Sequence, residues 1–540
     1  MLNTLYYGDN LDVLRRYVTD ESVDLVYLDP PFNSQQDYNV LFAEHSGARA
    51  AAQIKAFGDT WRWDLAAESA YVETIEAGSS HRVADVLRAL RTFLGNSDMM
   101  AYIAMMAPRL VELRRALRPT GSLYLHCDPT ASHYLKILLD AVFGPENFRA
   151  EIVWKRSSAH SDSKQGRKQP GHVHDVILFY TRSGEWTWNP LHAAHDPDYV
   201  AKKYPYEEPL TGRRYGLWDM SGPGGAAKGN PSYEVMGVVR FWRYSRTRMQ
   251  ELIDAGLVVQ PSPGAVPRQK RYLDETPGVS LQDLWTDIPP INSQAQERLG
   301  YPTQKPEALL ERIIASSSNP GDLVLDPFCG CGTAIAAAQK LGRHWMGIDI
   351  THLAINLIRH RLQTAFGSSD APFTVIGEPV SVPDAENLAA SDPYQFQWWS
   401  LGLVGARPAQ QKKGADKGID GRLYFHDEGP SSATKQIIFS VKAGKVTTSH
   451  LRDLLGVLDR EKAQIGVLIS LLEPTKDMRT EAAAAGFYES RWGRHPRLQL
   501  LTVKDLLGGR KVDYPPTQAN VTFKKAPKAQ AADAQHALPL

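Results

Sequence analysis

Leu323-Val324-Leu325-Asp326-Pro327-Phe328-Cys329-Gly330-Cys331-Gly332-Thr333 is a short apolar run that ends in an acid and then breaks into a glycine turn. The run has the length and composition of a buried strand. Gly330 and Gly332 let the backbone turn tightly, and the stretch from Thr333 to Leu341 has helical spacing. Small residues at such a strand-to-helix turn allow a ligand close to the main chain. The next strand, Trp345-Met346-Gly347-Ile348, ends on a second acid, Asp349, placed to accept hydrogen bonds from ribose hydroxyls.

The spacing of these glycines is not Gly-x-Gly-x-x-Gly, and no P-loop lysine follows them, so dinucleotide and phosphate sites are both disfavoured. Cys329 and Cys331 have no His or Cys partners at metal-ligand spacing and read as small buried thiols.

A second segment lies far upstream. Leu25-Val26-Tyr27-Leu28 reads as a buried strand ending at Asp29-Pro30-Pro31-Phe32. An aromatic amine is a poor nucleophile because its lone pair is delocalised into the ring. A carboxylate from Asp29 and the carbonyl of Pro30 could accept its two N–H bonds and draw the lone pair out. Pro30 and Pro31 stiffen that turn, and Phe32 could stack on an extruded base.

Strands alternate with helices on either side of these segments. Met105 to Leu117 reads as a helix closing at Pro119-Thr120-Gly121. Ser122 to His126, Ile152 to Trp154 and Asp175 to Tyr180 read as strands, and Pro306 to Ser316 as a helix. The pattern predicts an α/β fold with a mostly parallel sheet covered on both faces. From about Thr181 to Asn292 the pattern loosens. Aromatics mix with arginines there, as in Arg240-Phe241-Trp242-Arg243-Tyr244 with Arg246 and Arg248, a composition suited to phosphates and base edges.

The chain has 540 residues, enough for two or three domains, with 43% hydrophobic and 22% charged residues as in a globular protein. With 61 basic and 60 acidic residues the net charge is +1, so a DNA surface has to come from local clustering. Three cysteines provide no disulfide framework and suit a reducing cytoplasm. No stretch reads as a membrane span or signal peptide.

Residues 1 to about 365 resemble the β-group of DNA amino methyltransferases, in which the catalytic motif precedes the cofactor motif. Five segments carry the likeness: Tyr7-Gly8-Asp9-Asn10, Leu28 to Ser34, Tyr301 to Pro306, Asp326 to Thr333, and Gly347-Ile348-Asp349. The resemblance implies a Rossmann-like methyltransferase sheet and S-adenosylmethionine as cofactor. It places the cofactor among Asp9, Lys305, Pro306, Asp326, Phe328, Gly330, Gly332, Thr333 and Asp349, and catalysis at Asp29, Pro30, Pro31 and Phe32. It makes 181–292 a target-recognition region inserted between the core halves 1–180 and 293–365, with Arg240, Arg243, Arg246 and Arg248 as DNA contacts. Double-stranded DNA is the implied partner, a homodimer is in keeping with the family, and cytoplasmic location follows. Asp at the head of the tetrapeptide favours adenine N6, with cytosine N4 open. Cytosine C5 chemistry is disfavoured, since none of the three cysteines follows a proline as that family's nucleophile does.

Residues 366–392, rich in Ser, Pro, Ala and acids, read as a linker, and 515–540 as a disordered tail. Between them, 393–514 forms a second unit resembling the Mrr-like branch of restriction endonuclease folds. Asp420 and Lys442 match that pattern and could serve a Mg²⁺-dependent nuclease with Asp420 as metal ligand. Ser440 stands where a metal-binding acid or Gln is expected, and Gln397 where the usual upstream Glu would be. The alternatives are a bifunctional methyltransferase–endonuclease and an inactive DNA-binding relic.

Overall fold

The computed structural model describes residues 3–31, 63–76, 81–157, 170–193, 195–292, 295, 297–299, 301, 303–367, 372–409, 418–427 and 434–515. Phe32, Pro302, Asp416 and the expected tail beyond 515 lie outside the described residues.

A nine-stranded sheet organises residues before 380. Its strands in chain order are β1 (Asn3–Tyr7), β2 (Val23–Leu28), β3 (Leu117–Cys127), β4 (Phe148–Trp154), β5 (Asp175–Thr181), β6 (Leu284–Trp285), β7 (Leu323–Asp326), β8 (His344–Asp349) and β9 (Phe373–Ile376). Their spatial order is β6-β4-β5-β3-β2-β7-β8-β1-β9. All neighbours run parallel except β5, which is antiparallel to both β3 and β4. This is the Rossmann-like α/β arrangement expected. β2 and β7 are hydrogen-bonded neighbours, with Leu25 opposite Val324 and Val26 opposite Leu325, so Asp29 and Asp326 emerge at the same end of adjacent strands.

Period-2 alternation divides each central strand between two cores. Val26 and Leu28 join the layer of α1 (Asn10–Tyr17), α2 (Asp98–Ala116) and α3 (Pro129–Phe143). Leu25 and Tyr27 join the layer of α4 (Glu307–Ser317), α5 (Thr333–Lys340) and α6 (His352–Phe366). A parallel strand buried on both faces must be apolar nearly throughout, and all six residues of β2 are buried.

Two expectations give way. The strand after α2 begins directly at Leu117, without the separate turn read at Pro119-Thr120-Gly121. Arg118, Pro119 and Thr120 are exposed, so this polar start is an edge projection of β3 whose interior is Ser122 to Cys127. The stretch 366–392, expected as a linker, contains β9, parallel to β1 at the sheet edge, and α7 (Val382–Ser391), whose Ser381 and Asp384 form a capping box.

A five-stranded sheet follows: β10 (Arg407–Pro408), β11 (Gly421–Phe425), β12 (Lys435–Lys442), β13 (Ile465–Ser470) and β14 (Leu498–Thr502), in that order. Helix α8 (Pro393–Leu403) faces two ways. Phe396, Trp399 and Leu401 enter the core of this second sheet. Gln395 Oε1 accepts the His352 N–H at 3.0 Å, and Trp398 O accepts from Asn356 Nδ2 at 3.2 Å, so its other face seats on α6. A Cβ on Gly402 would fall 2.2 Å from Asn356 Nδ2, so the two helices approach closely there.

Residues 190–282 form a compact unit of their own. It holds a four-stranded antiparallel sheet, a hairpin of Ser232–Val235 with Val238–Phe241, and a helix, Arg246–Asp254. Met220, Tyr233, Val235, Trp242, Met249 and Leu252 make its core. No helix among the described residues is long and apolar enough to cross a membrane.

Candidate active site

The carboxyl ends of β2, β7, β8 and β1 carry Asp29, Asp326, Asp349 and Gly8-Asp9. Open α/β sheets bind ligands at such ends, where the strand order switches direction.

The turn after β7 is built by hydrogen bonds to its own acids. Asp326 is buried and accepts from the Phe328 N–H at 3.1 Å. Burial, with Asp29 and Asp349 nearby, holds its carboxyl well above the usual range. Asp349 Oδ2 accepts from the Gly330 N–H at 3.0 Å, and its Oδ1 from the Thr351 N–H and hydroxyl, each at 2.9 Å. Burial still pushes its pKa up to about 6. Gly330 and Gly332 have φ of +49° and +73°, and a Cβ on Gly332 would lie 2.7 Å from Ile358 Cγ1. Both glycines are therefore needed, one to leave the turn and one to admit α6.

Asp29 leaves the end of β2 with Lys305 Nζ 2.5 Å from its Oδ2. Each side chain keeps a small exposed fraction, 17% and 14%. Pro30 is buried and Pro31 partly so. Pro306 sets the N-terminus of α4 directly after Lys305. The chain thus brings together two segments that are remote in sequence.

Asp9 caps α1 by accepting the Leu11 N–H at 2.8 Å, and its other oxygen accepts from Arg109 Nη2 at 2.9 Å. Asn10 ties this segment to the cofactor turn, donating to Pro327 O at 2.9 Å and accepting from Arg109 Nε at 2.6 Å. Thr333, expected at the ligand, has its hydroxyl engaged by Arg361 Nη1 at 3.1 Å. Arg361 in turn pairs with Glu307 at 2.8 Å.

Sequence reading passed over a buried chain beside Asp29. The Tyr27 hydroxyl meets His126 Nδ1 at 3.0 Å, and His126 Nε2 meets Asp175 Oδ2 at 3.1 Å. Arg156 Nη1 stands 3.1 Å from Asp175 Oδ1. Burial keeps the Tyr27 hydroxyl protonated, and the His126 ring bridges it to Asp175. Tyr27 and Asp29 are two residues apart and thus share one side of β2. The only sequence signal for this chain is polar residues inside otherwise apolar strands.

In the inserted unit the four arginines read as DNA contacts are all exposed. Arg240 and Arg243 fold back on Ser221, at 3.3 Å to its hydroxyl and 3.0 Å to its carbonyl. Arg246 lies over the Tyr233 ring at 5.5 Å, and Arg248 pairs with Glu251 at 2.6 Å.

In the second sheet Asp420 Oδ2 accepts the Val441 N–H at 2.7 Å and lies 3.6 Å from Lys442 Nζ. Ser440 is buried within β12. Among the described residues no three His, Cys, Asp or Glu side chains are grouped to hold a metal ion. The Mg²⁺-dependent nuclease reading finds no support here.

Residues 23–360 match the family profile described as DNA methylase, N6_N4_Mtase. This chain belongs to that family. Residues 394–507 match a second profile, described as a NACHT-associated inactive restriction endonuclease. The chain is 27% identical over 401 residues, 73% of its length and 76% of the relative's, to the type II methyltransferase M.EcaI of Enterobacter cloacae. It is 25% identical over 363 residues, 67% of its length and 83% of the relative's, to the DNA adenine methyltransferase YhdJ of Escherichia coli. A Thermus thermophilus structure described as a putative DNA modification methylase complexed with S-adenosyl-L-methionine matches with TM-score 0.33 and 15% identity. The match covers 70% of this chain and 99% of that one. The assignment of fold rests on the strand order above.

Proposed function

We propose that this DNA methylase moves the methyl of S-adenosylmethionine to the N6 amino group of an adenine flipped out of duplex DNA, within a cytoplasmic restriction–modification or related system. The observation that carries this reading is the adjacency of β2 and β7, which sets Asp29 beside the Asp326–Gly332 turn.

The residues present suit such a cofactor. Asp349 offers a carboxylate to ribose hydroxyls, and the Gly330–Gly332 turn presents main chain without side chains. Asp29 and Asp326 end neighbouring strands, and Asp349 ends the strand next to that of Asp326. When bound, the cofactor supplies an electrophilic methyl on its sulfonium.

Asp29 and the Pro30 carbonyl accept the two N–H bonds of the target amine and localise its lone pair. Lys305 holds one carboxylate oxygen of Asp29 and leaves the other for the base. As the amine gains its methyl it becomes cationic. Asp29 then accepts the surplus proton and passes it to solvent. The unit at 190–282 would read the sequence around the base, with Arg240, Arg243 and Arg246 on phosphates. Arg248 is less available because of Glu251.

Adenine is favoured by Asp at the head of the tetrapeptide and by the kinship with YhdJ. Sequencing modified bases in DNA from cells expressing the chain tests the reading. N6-methyladenine at one fixed sequence context is expected. N4-methylcytosine would move the assignment to the other amino base, and unmodified DNA would refute it.

A further inference from the structure

The second domain keeps an endonuclease-like sheet but has put its acid–lysine pair to structural use, since Asp420 holds the main chain of β12. Its most accessible chemistry lies elsewhere, on a hairpin of Phe487–Ser490 with Gly493–Pro496. Phe487 and Trp492 are 49% and 53% exposed, although the large rings of Phe396, Trp399, Phe425 and Phe439 in the same domain are buried.

Each exposed ring carries a guanidinium. Arg494 lies over Phe487 at 4.4 Å and Arg491 over Trp492 at 4.8 Å. A cation stacked on a ring keeps its plane fixed and its N–H edge toward solvent. The hairpin is held firmly: Trp492 Nε1 donates to Asp427 O at 3.2 Å, His495 Nδ1 meets Asp513 at 2.7 Å, and the Tyr488 hydroxyl reaches Asp427. From Gly486 to Arg497 there are three arginines, Arg491, Arg494 and Arg497, and one acid, Glu489, which lies 3.5 Å from Arg494. Arg497 is taken up by Asp459 at 2.5 Å. Arg491 has no acidic partner among the described residues.

We propose that this hairpin is a second DNA-contacting surface, in which Arg491 and Arg494 take backbone phosphates of a duplex while Trp492 and Phe487 lie against sugars. Guanidiniums with fixed planes suit phosphate oxygens, and a cationic patch with open rings is poorly matched to a neutral protein face. The domain thereby anchors the enzyme on DNA irrespective of sequence.

Binding of the full chain, without cofactor, to a fluorescent 30-base-pair duplex of arbitrary sequence tests this, with the labelled single strand as a second arm. The variants are Arg491→Gln/Arg494→Gln and Trp492→Ala, each checked for an unchanged melting profile. In the double variant duplex affinity should fall about tenfold at moderate salt. The slope of log K against log salt should become shallower by about two, since each phosphate contact contributes about 0.9. Unchanged affinity and slope would overturn the proposal, as a protein partner on this surface would require. Preference for the single strand that Trp492→Ala abolishes would overturn the duplex assignment. Methylation enters neither readout, so this proposal and the assignment of base fail separately.

Discussion

Lys305 Nζ and Asp29 Oδ2 are 2.5 Å apart, a contact that ties the segment before α4 to the turn after β2. In the proposed reaction the pair leaves the other carboxylate oxygen of Asp29 for the base. Asp29→Ala should reduce methyl transfer by roughly 10³-fold or more, the scale of removing a positioned proton acceptor. Cofactor affinity should hardly change, because Asp349 is on another strand. Lys305→Met should cost about 10- to 100-fold in single-turnover methyl transfer, with partial recovery in Lys305→Arg. Wild-type turnover by Asp29→Ala would exclude it from the chemistry.

Asp349 predicts a pH dependence of cofactor binding. Its pKa, raised to about 6, leaves it largely protonated below that pH and a poorer acceptor for ribose hydroxyls. Affinity for S-adenosylhomocysteine, measured by calorimetry, should therefore rise from about pH 5 to about pH 7.5 and flatten in Asp349→Asn. For stability the sign is reversed. A folded-state pKa above the unfolded value contributes stability that is full at low pH and is lost as pH rises through about 6.

Gly332→Ala meets two obstacles, a φ of +73° and Ile358 Cγ1 at 2.7 Å. Thermal unfolding should show a loss of about 1–3 kcal/mol. In an Ile358→Ala background, which removes Cγ1, Gly332→Ala should still carry the backbone cost, so rescue should be incomplete. Complete rescue would mean that crowding alone requires glycine.

Asp175 is the buried anchor of the Tyr27–His126 chain. Burial raises its pKa, but His126, Lys305 and Arg156 together bring it below the usual carboxylate range. Stability from this group is present above that range and is lost as pH falls through the depressed value. Asp175→Asn should destabilise the fold by about 1–3 kcal/mol at neutral pH, the scale of weakening a buried hydrogen bond to a charged group. Its melting temperature should also depend less on acid than that of the wild type.

Supercoiled plasmid incubated with the purified chain and Mg²⁺ should remain uncut, and Asp420→Ala should lower the melting temperature by leaving the Val441 N–H without its acceptor. Cleavage that Lys442→Ala abolishes would restore the nuclease.

The site was legible where its chemistry coincides with a break in the hydrophobic pattern. Asp29 and Asp326 each end an apolar run, and both lie at strand ends. Tyr27, His126 and Asp175 went unread because their meaning lies in contacts across three strands, and strand order is not written in local periodicity. β9 was missed for a related reason. Phe373-Thr374-Val375-Ile376 is a strand of only four residues, and a short edge strand gains its character from the partner it joins. Around the arginines of the inserted unit no acid lies between Glu234 and Glu251 in sequence. In space Asp219, its carboxyl held below the usual range, lies within the field of Arg243 and Arg240.

Helix α8 packs into the core of the second sheet while hydrogen-bonding to α6, and that limits how such a protein can be reassembled from parts. An exchange of carboxy-terminal domains between relatives, by recombination or by design, cannot be cut cleanly on either side of it. Gln395 and Gly402 would have to travel with the His352 and Asn356 surface they fit. The seam between the nine-stranded and five-stranded sheets is therefore a matched set of contacts that an exchanged domain would have to reproduce.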